Sequence, residues 1–183
     1  MQQANGPWEV LGVRRVYEND FIQVDHHEVI QPDGRPGIYG TVTAPPGACV
    51  LPLDDDGNVY LVRQARFVLR ATSLEAPAGA VEPGEAPLEA ARRELREEIG
   101  VTAERWTELG MIHLDTSLMY SPVHLFLARG LRFDAPAREG NEAIQSTRFP
   151  FAEAVELVMA GEITQAASCV LLLKSQALLA AGG

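Results

Sequence analysis

Apolar and polar residues alternate in short pieces over the first quarter of the chain. Val10 to Tyr17, Phe21 to Asp25 and Ile38 to Thr43, separated by the turn Gln31-Pro32-Asp33-Gly34-Arg35-Pro36-Gly37, predict an antiparallel meander. Ala44-Pro45-Pro46-Gly47 breaks the pattern, so residues 1–45 are expected to form a small β unit and 46–183 a second, larger one. In the latter, Ala48 to Leu53 and Val59 to Arg66 flank Asp54-Asp55-Asp56-Gly57-Asn58 and predict a hairpin. Ala86 to Ile99 carries Leu88, Ala91, Leu95 and Ile99 at helical spacing, with Pro87 in the first turn and Gly100 as the stop. Strands are expected at Trp106 to Leu114 and Val123 to Ala128, and helices at Pro150 to Ala160 and Thr164 to Ala181. Strands, helix, strands, helices in that order imply an α/β (α+β) fold: a mixed sheet with helices on its faces.

Composition narrows the partners. With 183 residues, 46% hydrophobic and a net charge of −10, the chain has a globular composition that disfavours nucleic acid and anionic lipid. An anionic substrate therefore needs a local Arg cluster or a bound cation. Cys49 and Cys169 stand far apart in apolar stretches and are expected to be buried thiols, not a disulfide or zinc ligands. The first residues lack a signal peptide's basic flank and apolar run, and the longest apolar segment is interrupted by Lys174. A cytoplasmic location with no membrane partner is expected. The Asp run at 54–56 invites a calcium loop, but Ala65 stands where such a loop needs a bidentate Glu.

The chemistry concentrates on the helix 86–99. At about 100° per residue, Glu97 falls roughly 60° to one side of Glu94 and Glu98 roughly 40° to the other, so three carboxylates share one arc. Like charges at i, i+4 near a helix C-terminus are unfavourable in both respects, and a divalent cation would reverse the sign. Arg93 lies beside Glu97 on the wheel and can hold it. The preceding loop, Ala76 to Glu85, holds Gly79 and Gly84, where backbone can turn tightly or approach a ligand; Glu85 follows Gly84, which excludes a phosphate-binding P-loop.

Gly79, five residues, Glu85, seven residues, then Arg93-Glu94-Leu95-Arg96-Glu97-Glu98-Ile99-Gly100-Val101 resembles the Nudix hydrolase signature. The resemblance implies an α/β/α sandwich and hydrolysis of a nucleoside diphosphate linked to another moiety. By position it makes Glu94, Glu97 and Glu98 ligands of Mg²⁺ or Mn²⁺, the Ala78 carbonyl a further ligand, and Glu85 and Arg93 structural or orienting members. Val62 to Arg66, Leu74 to Gly79, Val123 to Ala128 and Glu139-Gly140-Asn141-Glu142 are similar to the ADP-ribose and nucleotide-sugar pyrophosphatase branch, as is the N-terminal meander, which there helps form a homodimer. Where many of those enzymes carry Pro-Gly after the signature, this chain has Ser117-Leu118, with Tyr120 close behind.

The implied activity is water attack on a pyrophosphate phosphorus, which needs neutralised phosphates and an activated nucleophile. For the proton acceptor the resemblance leaves Glu142, Glu139 and a signature Glu open. Arg66 and Arg63 are candidates to clamp a phosphate, with Glu75 and Tyr120 as further substrate contacts; Trp8 and Tyr120 can stack on a base. Dinucleoside polyphosphates or nucleoside triphosphates remain alternative substrates, and a sensor that binds ADP-ribose without cleaving it is the non-enzymatic alternative.

Overall fold

The computed structural model describes residues 3–133 and 145–182, divided into two compact units. The first comprises Met1–Pro45 with His113–Pro122. Its sheet runs β1 (Gln3–Asn5), β2 (Trp8–Glu18), β3 (Gln23–Ile30), β4 (Pro36–Thr43) and β10 (Met119–Tyr120). The first four are antiparallel, as the alternation predicts, and β10 adds in parallel to β4. Arg15 and Asp25 face each other across β2 and β3 and pair at 2.5 Å, while Asn19 caps the intervening turn through the N–H groups of Phe21 and Ile22. Val29 is buried, whereas Leu11, Val13, Val16, Tyr17, Phe21 and Ile38 remain exposed.

The second unit comprises Pro46–Ile112 and Val123–Gly183. Its strands are β5 (Gly47–Leu53), β6 (Asn58–Arg66), β7 (Ala71–Glu75), β8 (Ala78–Ala80), β9 (Val101–His113), β11 (Pro122–Phe133) and β12 (Gln145–Pro150). The order is β12-β6-β5-β11-β9, with β7 on β6 and β8 on β5; β11 runs parallel to β5, so the sheet is mixed. Three helices accompany it: α1 (Pro87–Ile99), α2 (Phe151–Met159) and α3 (Ala166–Ala180).

Ala48 to Leu53 reads as unbroken apolar sequence because both faces of β5 are covered. Ala48 and Val50 pack with Ala90, Ala91, Leu95 and Ile99 of α1. Cys49, Leu51 and Leu53 pack with Ala154, Ala167, Leu171 and Leu172 of α2 and α3. This is the α/β/α sandwich. Fully buried side chains such as Leu51, Leu95 and Leu125 each contribute about 1.5–3 kcal/mol. No helix among the described residues is long and apolar enough to cross a membrane.

Two expectations are modified. The predicted 48–66 hairpin forms, with β5 and β6 antiparallel about the 54–58 turn, but their pairing is short, at Leu53 and Val59, and the rest of β6 pairs with β7 and β12. The turn itself holds because Asp54 accepts from the Asn58 N–H at 2.8 Å, the Tyr60 hydroxyl at 3.0 Å and the Arg148 guanidinium at 3.0 Å. Cys49 is buried as expected, but Cys169 is only half-buried; its thiol donates to the Ile163 carbonyl.

Candidate active site

The loop before α1 is fixed by the sheet. Val50 N–H donates to the Pro77 carbonyl and Val81 N–H to the Pro46 carbonyl, and β8 pairs Gly79 with Ala48 of β5. A tight turn at Glu82 to Glu85, with Gly84 at φ +83°, leads into the helix. Pro87 fits the first turn, where no N–H is required, and Gly100 closes α1 in the left-handed region with its N–H on the Arg96 carbonyl.

Arg93 ties loop to helix. Its Nε and Nη2 donate to the two Glu85 oxygens at 3.0 Å each, Nη2 also to the Ala80 carbonyl at 2.9 Å, and Nη1 to Glu94 at 2.5 Å and Glu97 at 3.4 Å. These contacts employ all five guanidinium N–H groups. The expected Arg93–Glu97 contact is therefore its longest, and Glu85 is the principal partner because bidentate geometry outweighs a single i, i+4 contact. Hydrogen bonding to Glu85 above all raises the Arg93 pKa, and the Arg93 guanidinium holds the Glu85 carboxyl below its ordinary range.

Glu94 lies between helix and loop. A Cβ built on Gly79 would stand 1.9 Å from its Oε1 and 2.6 Å from its Oε2, so Gly79 leaves the space that this carboxylate fills. Burial raises the Glu94 pKa despite the opposing Arg93 charge. Glu98 is buried at 8% exposure on the sheet side of the arc, and Glu97 is half-buried. Among the described residues no three acidic, thiol or imidazole groups already stand at metal-holding distances. The donor set nonetheless suits a hard cation: carboxylates at i, i+3 and i+4, one of them desolvated and lodged against a glycine beside Ala78.

Arg66 and Glu75 form a second group. Arg66 Nε donates to Glu75 Oε1 at 2.9 Å and its Nη2 to Oε2 at 2.5 Å, Glu75 being 2% exposed. Glu75 thus spends both oxygens on orienting Arg66. Ser168 of α3, which sequence reasoning passed over, accepts the Ala76 N–H at 2.8 Å through its buried hydroxyl; the only signal was a hydroxyl inside an apolar helical run. Arg63 is exposed on β6, opposite Leu74. Tyr120 lies in the first unit on β10, 61% exposed, its ring 6.1 Å from that of His113. It lines a cavity of about 350 Å³ with Trp8, His27, Tyr39 and Thr41. Trp8 and Tyr39 meet edge to face at 5.4 Å, and the Tyr39 hydroxyl donates to the Ser117 carbonyl. Glu139 and Glu142 lie outside the described residues.

A mixed-sheet sandwich that presents a carboxylate-bearing helix beneath a glycine loop is the frame of a phosphoanhydride hydrolase. Residues 43–171 match the model described as the NUDIX domain, and residues 8–42 that described as the nucleoside diphosphate sugar hydrolase N-terminal domain. The chain belongs to the NUDIX family, whose hydrolases use a divalent cation, and is a pyrophosphohydrolase of small nucleotides. It is 35% identical over 165 residues to an ADP-ribose pyrophosphatase of Mycobacterium tuberculosis, covering 87% of this chain and 79% of the relative. It is 29% identical over 160 residues to an ADP-ribose pyrophosphatase of Bacillus subtilis, covering 86% of each. A crystal structure of an ADP compounds hydrolase shares the fold, with a TM-score of 0.85 at 22% identity over 99% of this chain and 98% of that one.

Proposed function

We propose that the protein hydrolyses the pyrophosphate bond of ADP-ribose or a related nucleoside diphosphate sugar, giving a nucleoside monophosphate and a sugar phosphate. The observation that carries the substrate class is the pairing of a NUDIX domain with an N-terminal unit matching that of nucleoside diphosphate sugar hydrolases. Water oxygen adds to one phosphorus, the bridging oxygen leaves with the other phosphate, and the water proton passes to a carboxylate.

Glu94, Glu97, Glu98 and the Ala78 carbonyl would hold Mg²⁺ or Mn²⁺, which when bound neutralises phosphate charge and lowers the pKa of coordinated water. Gly79 admits the Glu94 carboxylate to that group, and Arg93 fixes its direction. Arg66, aimed by buried Glu75, clamps a substrate phosphate, with Arg63 on the same strand as a second cation. Glu75 acts through Arg66 in this reading. Glu142 receives the proton, with Glu139 next in line. In the first unit, Tyr120 and Trp8 line a cavity with aromatic walls and polar edges at His27 and Thr41, chemistry suited to a nucleobase. Exposed Leu11, Val13, Val16 and Ile38 support a homodimer through the meander, and two free thiols suit the cytoplasm.

The test is product release from ADP-ribose, nucleotide sugars, dinucleoside polyphosphates and nucleoside triphosphates, each with Mg²⁺, Mn²⁺ or chelator. Metal-dependent cleavage concentrated on ADP-ribose or a nucleotide sugar is expected. Preference for triphosphates or dinucleoside polyphosphates would overturn the substrate class, and binding of ADP-ribose without turnover would overturn the hydrolytic reading.

A further inference from the structure

A second cavity, of about 400 Å³, lies beside α1. Arg92, Arg93 and Arg96 line it with Trp106, and Glu85 and Glu89 contribute the opposite charge. Three guanidiniums against two carboxylates is a local reversal in a chain of net charge −10.

The three arginines differ in what they already hold. Arg93 is occupied by Glu85, Glu94, Glu97 and the Ala80 carbonyl. Arg92 pairs with Glu89 at 2.7 Å, but both side chains are about half exposed, at 48% and 57%, and such pairs are weak and readily exchanged. Arg96 is exposed and makes no ion pair among the described residues. Its place in the last turn of α1 complements the helix dipole, which accounts for a cation there but not for the cavity or its aromatic wall.

Trp106 supplies that wall. Its indole N–H is engaged with the Ala103 carbonyl at 3.1 Å, so what it offers to the cavity is ring surface, and the Arg92 guanidinium stands 5.7 Å from the ring centroid. Guanidiniums recognise phosphate oxygens and aromatic rings recognise bases through stacking. A volume of about 400 Å³ is within the range of small-ligand pockets, roughly 300–1,000 Å³.

We propose that this cavity is a binding site for a nucleoside monophosphate, with the phosphate on Arg96 and Arg92 and the base against Trp106. Binding here needs no hydrolysis and no divalent cation, and its test is independent of turnover. Equilibrium dialysis of the full chain with AMP, in the presence of chelator, is compared with the Arg92→Gln/Arg96→Gln double variant; both positions are exposed and outside the hydrolytic machinery. Bound AMP with a dissociation constant below about 1 mM, weakened about tenfold or more in the variant, is expected. Trp106 fluorescence in a Trp8→Phe chain, whose sole tryptophan it then is, should change saturably over the same range, and inorganic phosphate should compete. No bound AMP, or equal binding by native chain and double variant, would overturn the proposal.

Discussion

Gly79→Ala tests whether the loop exists to seat a carboxylate. Gly79 does not use left-handed backbone, so alanine meets no conformational barrier there, and its strand pairing with Ala48 is unaffected. The new Cβ would stand 1.9 Å from Glu94 Oε1, where ordinary contact begins at 3.4 Å, so the carboxylate must retreat by 3.4 − 1.9 = 1.5 Å. The atoms that move are the end of a flexible side chain. An off-rotamer Glu94 costs about 0.5–1.5 kcal/mol. The reduced freedom of the unfolded alanine chain offsets about 0.4–1 kcal/mol of it. Net stability should therefore change by no more than about 1 kcal/mol, a melting shift of about 2–4 °C for a chain of this size. Turnover should respond far more, since misplacing a reacting constellation by about 1 Å can lower the rate about 100-fold. Thermal melting and initial rates at saturating Mg²⁺ read the two effects separately. A rate within about threefold of native would refute the seating of Glu94 as a requirement of the reaction, and a collapse of the fold would refute the assignment of the strain to a side chain alone.

Three further outcomes follow from the same geometry. Glu98→Gln, isosteric at a buried position, should abolish metal-dependent turnover while leaving the far-ultraviolet circular dichroism intact; near-native activity would remove Glu98 from the metal set. Glu142→Gln should depress kcat more than it raises KM, and an unchanged kcat would exclude it as the proton acceptor. Burial raises the Asp54 pKa, but the hydrogen bonds from Asn58, Tyr60 and Arg148 outweigh it and leave the carboxyl below its ordinary 3.8. Its stabilisation is accordingly full above the unfolded value and is lost as pH falls through the lower folded one. Asp54→Asn should cost about 1 kcal/mol at neutral pH, and urea titrations should show that deficit shrinking below pH 3.8; a deficit that grows on acidification would contradict the sign.

The elements readable from sequence are those whose periodicity is generated within the element. β4 alternates because one of its faces is wetter than the other, and α1 shows Leu88, Ala91, Leu95 and Ile99 because one face meets Val50 and Val62. β7, β8 and β12 escape such reading. They are three to six residues long, and their strand geometry is imposed by hydrogen bonding to β5 and β6, so the signal lies in the partner. The same distinction explains the 54–58 turn, whose Asp54 and Gly57 chemistry is local and legible, whereas the divergence of β5 from β6 depends on which strands compete for each edge.

The site divides in the same way. Glu94, Glu97 and Glu98 share an arc by the fixed rotation of a helix, so their convergence needs no tertiary information. Helical geometry also makes Glu97 a partner of Arg93, and that contact forms, but it is the longest that the guanidinium makes. Once β8 is paired to β5, the loop returns with Glu85 beside the guanidinium, and two parallel hydrogen bonds displace the i, i+4 contact to 3.4 Å. Arg93 then has no N–H left for a phosphate. Its charge is expended on holding the loop to the helix and Glu94 against Gly79, which makes it a positioning residue; under the proposed function, recognition of substrate phosphate then falls to cations outside α1's carboxylate arc, Arg66 first among them.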